Sequence, residues 1–133
     1  MTCTAFNPDL IPIDQPVEPA LLQSIKQTEW CGTCLNCLYT YIMLAPTLSD
    51  TELVEIFGSD FLDNADLAPV LDELAGFSLQ PNPNYPRIAR VSKALQKIQK
   101  ERKQKALIKH YINESIRQWE DDLFEDYFNM SMT

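Results

Sequence analysis

Hydrophobic residues recur every three to four positions over most of this chain, a spacing typical of helices with one buried face. The pattern predicts short helices at 20–27 and 67–75, and one or two helices between 87 and about 128. Residues 38–45 are instead apolar almost throughout. We interpret this run as a buried helix, with a buried strand as the alternative, because so short an apolar run has no decisive periodicity.

Residues that start and stop helices support this interpretation. Ser49 and Glu52 have the spacing of a capping box, in which a hydroxyl and a carboxylate bond to free backbone amides at a helix N-terminus. Gly58 and Gly76 follow the apolar residues of two predicted helices, where a left-handed glycine commonly ends the helix. Pro46 ends the apolar run, since proline interrupts a helix. The sequence therefore predicts a small, mostly α fold.

Two proline-rich segments divide the chain. Residues 1–19 contain four prolines and are predicted to form an extended N-terminal arm, because such a density of proline disfavours helices and central strands. Residues 81–86 contain three prolines and are predicted to be a linker. Between these segments, residues 20–80 are predicted to form a helical domain that contains a cysteine cluster. Residues 87–133 are predicted to form a C-terminal helical segment, either one long helix or a helical hairpin.

The composition is that of a single globular domain. The chain has 133 residues, of which 45% are hydrophobic, and this suits one modest core. Its formal net charge of −8 repels phosphate backbones, so nucleic acid is not an expected partner. The sequence has no apolar run near the ~20 residues that span a bilayer, and residues 1–19 lack the features of a secretory signal. We therefore expect a cytoplasmic protein without a membrane partner.

Charge is unevenly distributed in the C-terminal segment. Nine of the eleven basic residues lie between 87 and 109, whereas residues 114–126 are mainly acidic. The simpler interpretation is two solvated helix faces that pair with each other, and the alternative is a basic docking surface for a protein partner or a phosphorylated ligand. An aromatic set near the C-terminus is interpreted either as core or as a surface that binds a protein partner: Trp119, Phe124, Tyr127 and Phe128.

Three of the four cysteines, Cys31, Cys34 and Cys37, lie within seven residues of one another. Such a reduced cluster is typical of a metal site, and Gly32 gives the backbone the freedom to turn so that the three thiolates converge. Zinc in structural sites takes four sulfur or nitrogen ligands. The sequence therefore predicts a structural zinc knuckle without a catalytic role, and Trp30 is predicted to cover it.

The fourth metal ligand has two candidates. Cys3 is preferred because the arm can fold back onto the cluster, and His110 is the alternative although it lies within a predicted helix. The predicted ligands are thus Cys31, Cys34, Cys37 and Cys3. An iron–sulfur cluster, a redox-active pair of Cys31 and Cys34, and a cluster without metal remain alternatives.

The residues do not suggest a catalytic or cofactor-binding site. A single histidine gives no support to a Ser/His/Asp set. Paired carboxylates such as Asp50 and Glu52 are better explained as helix caps and solvated faces. The three glycines are isolated from one another, so the sequence contains no phosphate-binding loop. We do not expect the isolated chain to be an enzyme.

Three landmarks follow one another along the chain: Trp30-Cys31-Gly32-x-Cys34-x-x-Cys37, Leu44-Ala45-Pro46 and Ile56-Phe57-Gly58. In this order they resemble the C-terminal part of the ATP-dependent epimerases of UDP-N-acetylmuramoyl-L-alanyl-L-glutamate, a peptidoglycan precursor. Leu35 and Asn36 replace a proline and a lysine of the family motif, and Thr47 replaces a phenylalanine. The cysteine segment also resembles, more loosely, the zinc-binding knuckle of 7-cyano-7-deazaguanine synthases.

The resemblance implies common ancestry for one domain of such an epimerase. The family's nucleotide-binding half has no counterpart in this sequence. The resemblance therefore implies a zinc-stabilised accessory or remnant domain that is not catalytic alone and that associates with a catalytic subunit or with itself. The alternative function is a standalone zinc-knuckle module that binds another protein through its C-terminal helices.

Overall fold

The computed structural model describes residues 7–13, 15–78 and 84–117. Within these ranges the chain forms helices and no strand. The helices are α1 (Pro19–Gln27), α2 (Leu35–Leu44), α3 (Asp50–Phe57), α4 (Ala68–Ala75), α5 (Tyr85–Ile98) and α6 (106–117). Short 3-10 turns cover Pro8–Leu10, Phe61–Asp63 and Ala65–Leu67. The predicted mostly α fold is confirmed, and the strand alternative for residues 38–45 is wrong.

Helix α2 is the centre of the fold. Every side chain from Cys37 to Leu44 is buried, and α4 and α5 pack against α2 and against each other. Within this buried run, the Thr40 hydroxyl donates a hydrogen bond to the backbone carbonyl of Asn36 at 2.6 Å. A helix without a solvated face must be covered on all sides, and this explains the apolar run in the sequence.

The Ser49 half of the capping box predicted for α3, and the glycine stops predicted for α3 and α4, are present. The Ser49 hydroxyl accepts a hydrogen bond from the backbone N–H of Glu52 at 3.2 Å. Gly58 and Gly76 end their helices in the left-handed conformation, with φ of 86° and 81°. Helix α4 begins at Ala68, after a 3-10 turn, one residue later than the sequence predicts.

The C-terminal segment contains two helices within the described residues. Helix α5 begins at Tyr85, two residues before the predicted start, and the Asn84 side chain accepts a hydrogen bond from the backbone N–H of Arg87 at 3.1 Å. After Ile98 the chain turns, and it is helical again from 106. The aromatic set from Trp119 to Phe128 lies outside the described residues. Several apolar side chains of the two helices are buried: Val91, Ala94, Leu95, Ile98, Leu107, Ile108 and Tyr111.

The described part of the N-terminal arm packs on the core. The turn Pro8–Leu10 contacts α2, and Ile11 and Ile13 belong to the same hydrophobic cluster as the helices. The proline pattern did not indicate this burial. The division into an arm, a domain, a linker at 81–86 and a C-terminal segment stays a prediction. Among the described helices, none is both long and apolar enough to cross a bilayer.

Candidate metal centre

The cysteine turn lies immediately before the central helix. Gly32 adopts the left-handed conformation with φ of 81°, which reverses the chain between Cys31 and Cys34. Cys34 then occupies the N-cap of α2, and Cys37 lies in its first turn. The three residues differ in burial, since Cys31 is exposed, Cys34 is intermediate and Cys37 is buried. The turn therefore forms the outer side of the site and the helix forms its inner side.

The three thiols converge. The Sγ atom of Cys37 lies 3.5 Å from that of Cys31 and 3.4 Å from that of Cys34, and all three sulfurs lie within 4.8 Å of one another. Zinc–sulfur bonds of ~2.3 Å in a tetrahedron place the sulfurs roughly 3.8 Å apart. The group can therefore hold a metal ion with small shifts of the side chains.

Local hydrogen bonds make the thiols unequal. The backbone of Thr33, and then its hydroxyl 3.6 Å from Cys31 Sγ, lower the pKa of Cys31 to about 6. Burial raises the pKa of Cys37 above its ordinary value. At neutral pH this arrangement favours a thiolate at Cys31, held beside a thiol that a bound cation would help to deprotonate.

An aromatic layer lies next to the cysteine turn. The indole Nε1 of Trp30 donates a hydrogen bond to the carbonyl of Ile25 at 3.1 Å, and its ring lies 5.2 Å from that of Phe57. Phe57 in turn lies 5.2 Å from Phe61, whose ring approaches within 3.6 Å of the position of a Cβ atom on Gly32. These contacts hold Trp30 between α1 and α3, directly before the first cysteine.

The fourth ligand stays a prediction. Cys3 lies outside the described residues. His110 is on α6, where its Nε2 lies 2.6 Å from Oδ1 of Asp72, so it links α6 to α4. Among the described residues, the metal-binding group around the turn consists of Cys31, Cys34 and Cys37.

A polar network joins the arm to α2 and α5, and the sequence pattern did not reveal it. The Asp9 carboxylate accepts hydrogen bonds from the Tyr39 hydroxyl at 2.9 Å and from Arg87 Nε at 3.1 Å. Arg90 Nη1 donates to the Tyr39 hydroxyl at 3.0 Å. The network reaches the cysteine turn, because Arg87 Nη1 lies 3.5 Å from Oδ1 of Asn36, between Cys34 and Cys37. Asp9 and Arg87 are 78 residues apart in sequence, so local spacing carries no signal of their contact.

A second charged cluster lies at the opposite end of α2. Arg102, on the connection between α5 and α6, is buried and donates to the backbone carbonyl of Ala45 at 2.7 Å. Lys105 forms an ion pair with Asp60, which also accepts a hydrogen bond from the Tyr41 hydroxyl at 3.1 Å. Each charge in this cluster faces an opposite charge or a backbone carbonyl, so we assign the cluster a structural role.

A surface groove lies along the end of α5, the connection that follows it and α6, away from the cysteines. Its volume is about 850 Å³. Tyr111, Ile112 and Ile116 provide its apolar side, and Lys100 and Lys103 provide positive charge. Ile116 is 51% exposed, so part of the apolar side of the groove is accessible to solvent.

Comparison with known proteins gives the chain a family. Residues 20–125 match the family described as MurL C-terminal domain. A 48-residue segment is 44% identical to the UDP-N-acetyl-alpha-D-muramoyl-L-alanyl-L-glutamate epimerase of Xanthomonas oryzae pv. oryzae (strain MAFF 311018), and it covers 36% of this chain and 11% of that relative. No solved structure matches the chain. Because the family match includes the cysteine turn and all of α2 to α5, this protein belongs to the MurL C-terminal domain family.

Proposed function

We propose that this chain is a zinc-stabilised accessory or remnant domain of an ATP-dependent UDP-N-acetylmuramoyl-L-alanyl-L-glutamate epimerase system in cytoplasmic peptidoglycan-precursor synthesis. The observation that carries the proposal is the family match over residues 20–125. The segment shared with the Xanthomonas epimerase covers 11% of that enzyme, so most of the enzyme's length lies outside the similarity. On this proposal, a catalytic subunit supplies the nucleotide site.

The proposed role of zinc is structural. Cys31, Cys34 and Cys37 would supply three thiolates, and Cys3 the fourth. A tetrahedral site with four protein ligands has no open position for a substrate. Because zinc binds only when the turn is formed, the free energy of metal binding would contribute directly to folding. The ion would thus fix the turn onto the central helix without taking part in chemistry.

The chain is proposed to be inactive alone because its sequence has no glycine-rich phosphate-binding loop. Activation by ATP requires a cradle of backbone amides around the phosphates, usually a glycine-rich loop. The three glycines of the chain are Gly32, Gly58 and Gly76. Gly32 is used in the cysteine turn and the other two end helices.

Metal analysis tests the zinc site. Protein purified under reducing conditions is expected to contain about one zinc per chain, and Cys34→Ser is expected to lose the metal and much of its helical circular dichroism. Thr51→Ser, on an exposed position of α3, serves as a control that should keep both. A metal-free chain that is fully folded would contradict the proposal.

Reconstitution tests the accessory role. The chain alone is expected to show no epimerisation of UDP-N-acetylmuramoyl-L-alanyl-L-glutamate in the presence of ATP and magnesium. Addition of a separately expressed nucleotide-binding part of the family is expected to restore or raise activity. Turnover by the isolated chain would show that it is an enzyme in its own right and would refute the proposed role.

The groove between α5 and α6 favours the alternative function, a standalone protein-interaction module. Its apolar side and the charges of Lys100 and Lys103 suit a partner segment with acidic residues around an apolar centre. Under this alternative, the double variant Lys100→Glu, Lys103→Glu should no longer bind a protein partner that is distinct from the nucleotide-binding half. If this variant loses such a partner but still restores epimerase activity in the reconstitution, the result would favour the interaction module.

A further inference from the structure

The three cysteines of the turn differ in how easily a dissolved reagent can reach them. Cys31 is exposed, Cys34 is intermediate and Cys37 is buried, with 1% of its surface exposed. Thiol–disulfide exchange requires contact between the reagent and the sulfur that reacts, so access limits its rate. Among these three residues, a dissolved disulfide therefore meets Cys31 first, and Cys37 can react only with a sulfur that the fold brings to it.

The fold does bring another sulfur to Cys37. Its Sγ atom lies 3.5 Å from that of Cys31, although the two residues are six positions apart in sequence. The left-handed Gly32, with φ of 81°, reverses the chain between them. A disulfide places two sulfurs about 2.0 Å apart, so a shift of about 1.5 Å would join this pair. The sulfurs of the reduced turn are therefore already close to their separation in a disulfide.

The burial of the two residues also suits the direction of exchange. A thiol displaces the leaving sulfur from the opposite side, so that the attacking, central and leaving sulfurs lie nearly in line. A bulky group bonded to Cys31 would have to project into solvent, because Cys31 is on the outer side of the site. Cys37, in the first turn of α2, is on the inner side. It is therefore placed to displace such a group from behind.

We propose that the cysteine turn is a site of reversible disulfide modification, in which Cys31 reacts with a low-molecular-weight disulfide and Cys37 is the resolving thiol. The inference goes beyond the proposed structural role of the turn and does not require a bound metal ion. Because metal binding and disulfide formation use the same sulfurs, each would exclude the other at Cys31 and Cys37. In a reducing compartment the disulfide would be transient, as is typical of regulatory rather than structural disulfides.

With glutathione disulfide as the reagent, the modification takes two steps. First, the Cys31 sulfur bonds to one sulfur of the reagent, the S–S bond of the reagent breaks, and one glutathione leaves with the proton of Cys31. Second, the Cys37 sulfur bonds to that of Cys31, and the other glutathione leaves with the proton of Cys37. The two cysteines are oxidised to one disulfide, and one glutathione disulfide is reduced to two glutathione molecules.

Reaction of the full chain with glutathione disulfide tests this assignment. Samples are quenched with acid over time, and tandem mass spectrometry locates the modified cysteines. Among the three cysteines of the turn, the first glutathione adduct is expected on Cys31, and the first internal disulfide is expected to join Cys31 to Cys37. A first adduct on Cys34, a first internal disulfide between Cys31 and Cys34, or a persistent adduct on Cys31 would each overturn the inference.

Two controls separate the geometry of the fold from the reactivity of any thiol pair. In concentrated urea the sulfurs are no longer held together, so conversion of the Cys31 adduct to the internal disulfide is expected to slow at least about tenfold. Cys31→Ser changes an exposed position, and it is expected to lose the early adduct on the turn. Equal conversion rates with and without urea, or an early adduct of unchanged rate in Cys31→Ser, would contradict the proposal. The zinc content of the same protein is measured separately, and a zinc-free chain that reacts as expected would refute only the proposed metal site.

Discussion

At the scale of single residues, the cysteine turn shows how one backbone conformation creates chemistry. The left-handed Gly32 directs the Thr33 backbone and hydroxyl toward the sulfur of Cys31. The same reversal brings Cys31 to the buried Cys37, 3.5 Å away. A side chain at position 32 would meet only ordinary contact with Phe61, so it is the backbone conformation, and not a lack of space, that favours glycine there.

Two other left-handed glycines allow backbone strain and crowding to be separated. Gly58→Ala adds a Cβ with no neighbour within 4 Å, so it should cost only the ~1 kcal/mol of a left-handed alanine. Gly76→Ala places the same atom 3.1 Å from Cγ2 of Ile88, and we expect a further cost of about 1 kcal/mol from overpacking. Urea denaturation of the two variants measures the difference. Equal losses of stability would show that Ile88 moves away freely.

Asp9 makes the stability of the arm depend on pH. Burial opposes ionisation of Asp9, but hydrogen bonds from Arg87 and Tyr39 and the nearby arginine charges outweigh it, so the pKa of Asp9 is lowered. A carboxyl group with a lowered pKa stabilises the fold above its unfolded pKa of about 3.9, and this contribution is lost as the pH falls through the folded value.

We therefore expect the stability gap between the unchanged chain and Asp9→Asn to be full at neutral pH and to shrink below about pH 4. Thermal unfolding monitored by circular dichroism between about pH 3 and pH 7 measures this gap. A gap that is constant over this range would mean that the Asp9 carboxylate does not stabilise the arm.

At the scale of elements, α2 is fixed at both ends by groups from distant parts of the chain. Its first turn carries Cys37 and follows the cysteine turn. The residues that follow it are bound from the connection between α5 and α6, where Arg102 donates to the carbonyl of Ala45, the C-cap of α2, at 2.7 Å and to the carbonyl of Leu48 at 2.8 Å. Arg102 Nε also lies 2.8 Å from Oδ1 of Asp50. One buried arginine thus satisfies the end of α2 and pairs with the first residue of α3.

Arg102→Met is expected to destabilise the protein by about 3 kcal/mol, because it leaves the carbonyls of Ala45 and Leu48 without their donor and leaves Asp50 paired with Lys105 alone. Lys103→Met, at the exposed neighbouring position, should change stability by less than about 0.5 kcal/mol. Urea unfolding followed at 222 nm compares the two variants. If they are equally stable, Arg102 does not hold the end of α2.

Patterns among residues close together in the sequence predicted the helices well, but they could not predict contacts between distant residues. The Ser49 cap, the Gly58 and Gly76 stops and the burial of 38–44 follow from spacing within a few residues. The start of α2 at Leu35 could not be predicted in this way, because its N-cap, Cys34, lacks the usual side-chain hydrogen bond. The three converging cysteines were predicted, since a turn fixes them locally.

The polar contacts near the cysteine turn could not be predicted from the sequence, for a physical reason. Asp9, Tyr39 and Arg87 meet only because the arm, α2 and α5 pack together. The basic stretch from 87 to 109 was interpreted as a solvated face or a docking surface. In the structure, Arg87, Arg90 and Arg102 instead bind groups of the same chain. Charge counts cannot reveal such internal pairing.

At the scale of the whole molecule, the described residues share one hydrophobic cluster. It includes Ile11 and Ile13 from the arm, the buried residues of α2, and Leu107 and Ile108 from α6. Residues on either side of the predicted 81–86 linker contribute to it, since α5 packs against α2 and α4. From this packing we expect the chain to unfold as one cooperative unit.

Ile11→Ala tests whether the arm belongs to this unit. Ile11 is 0% exposed, so removing three carbons from its side chain should cost about 3 kcal/mol through lost burial and the cavity that remains. Leu10→Ala, where the leucine is 64% exposed, is the matched control and should cost less than about 0.5 kcal/mol.

In a Trp119→Phe background, Trp30 fluorescence reports on the cysteine turn, while circular dichroism reports on all helices. In Ile11→Ala the unfolding midpoints measured by fluorescence and by circular dichroism should fall by the same amount, because residues that share one core unfold together. An unchanged midpoint in this variant, or two separate transitions, would support an independent arm and domain as the proline pattern predicted.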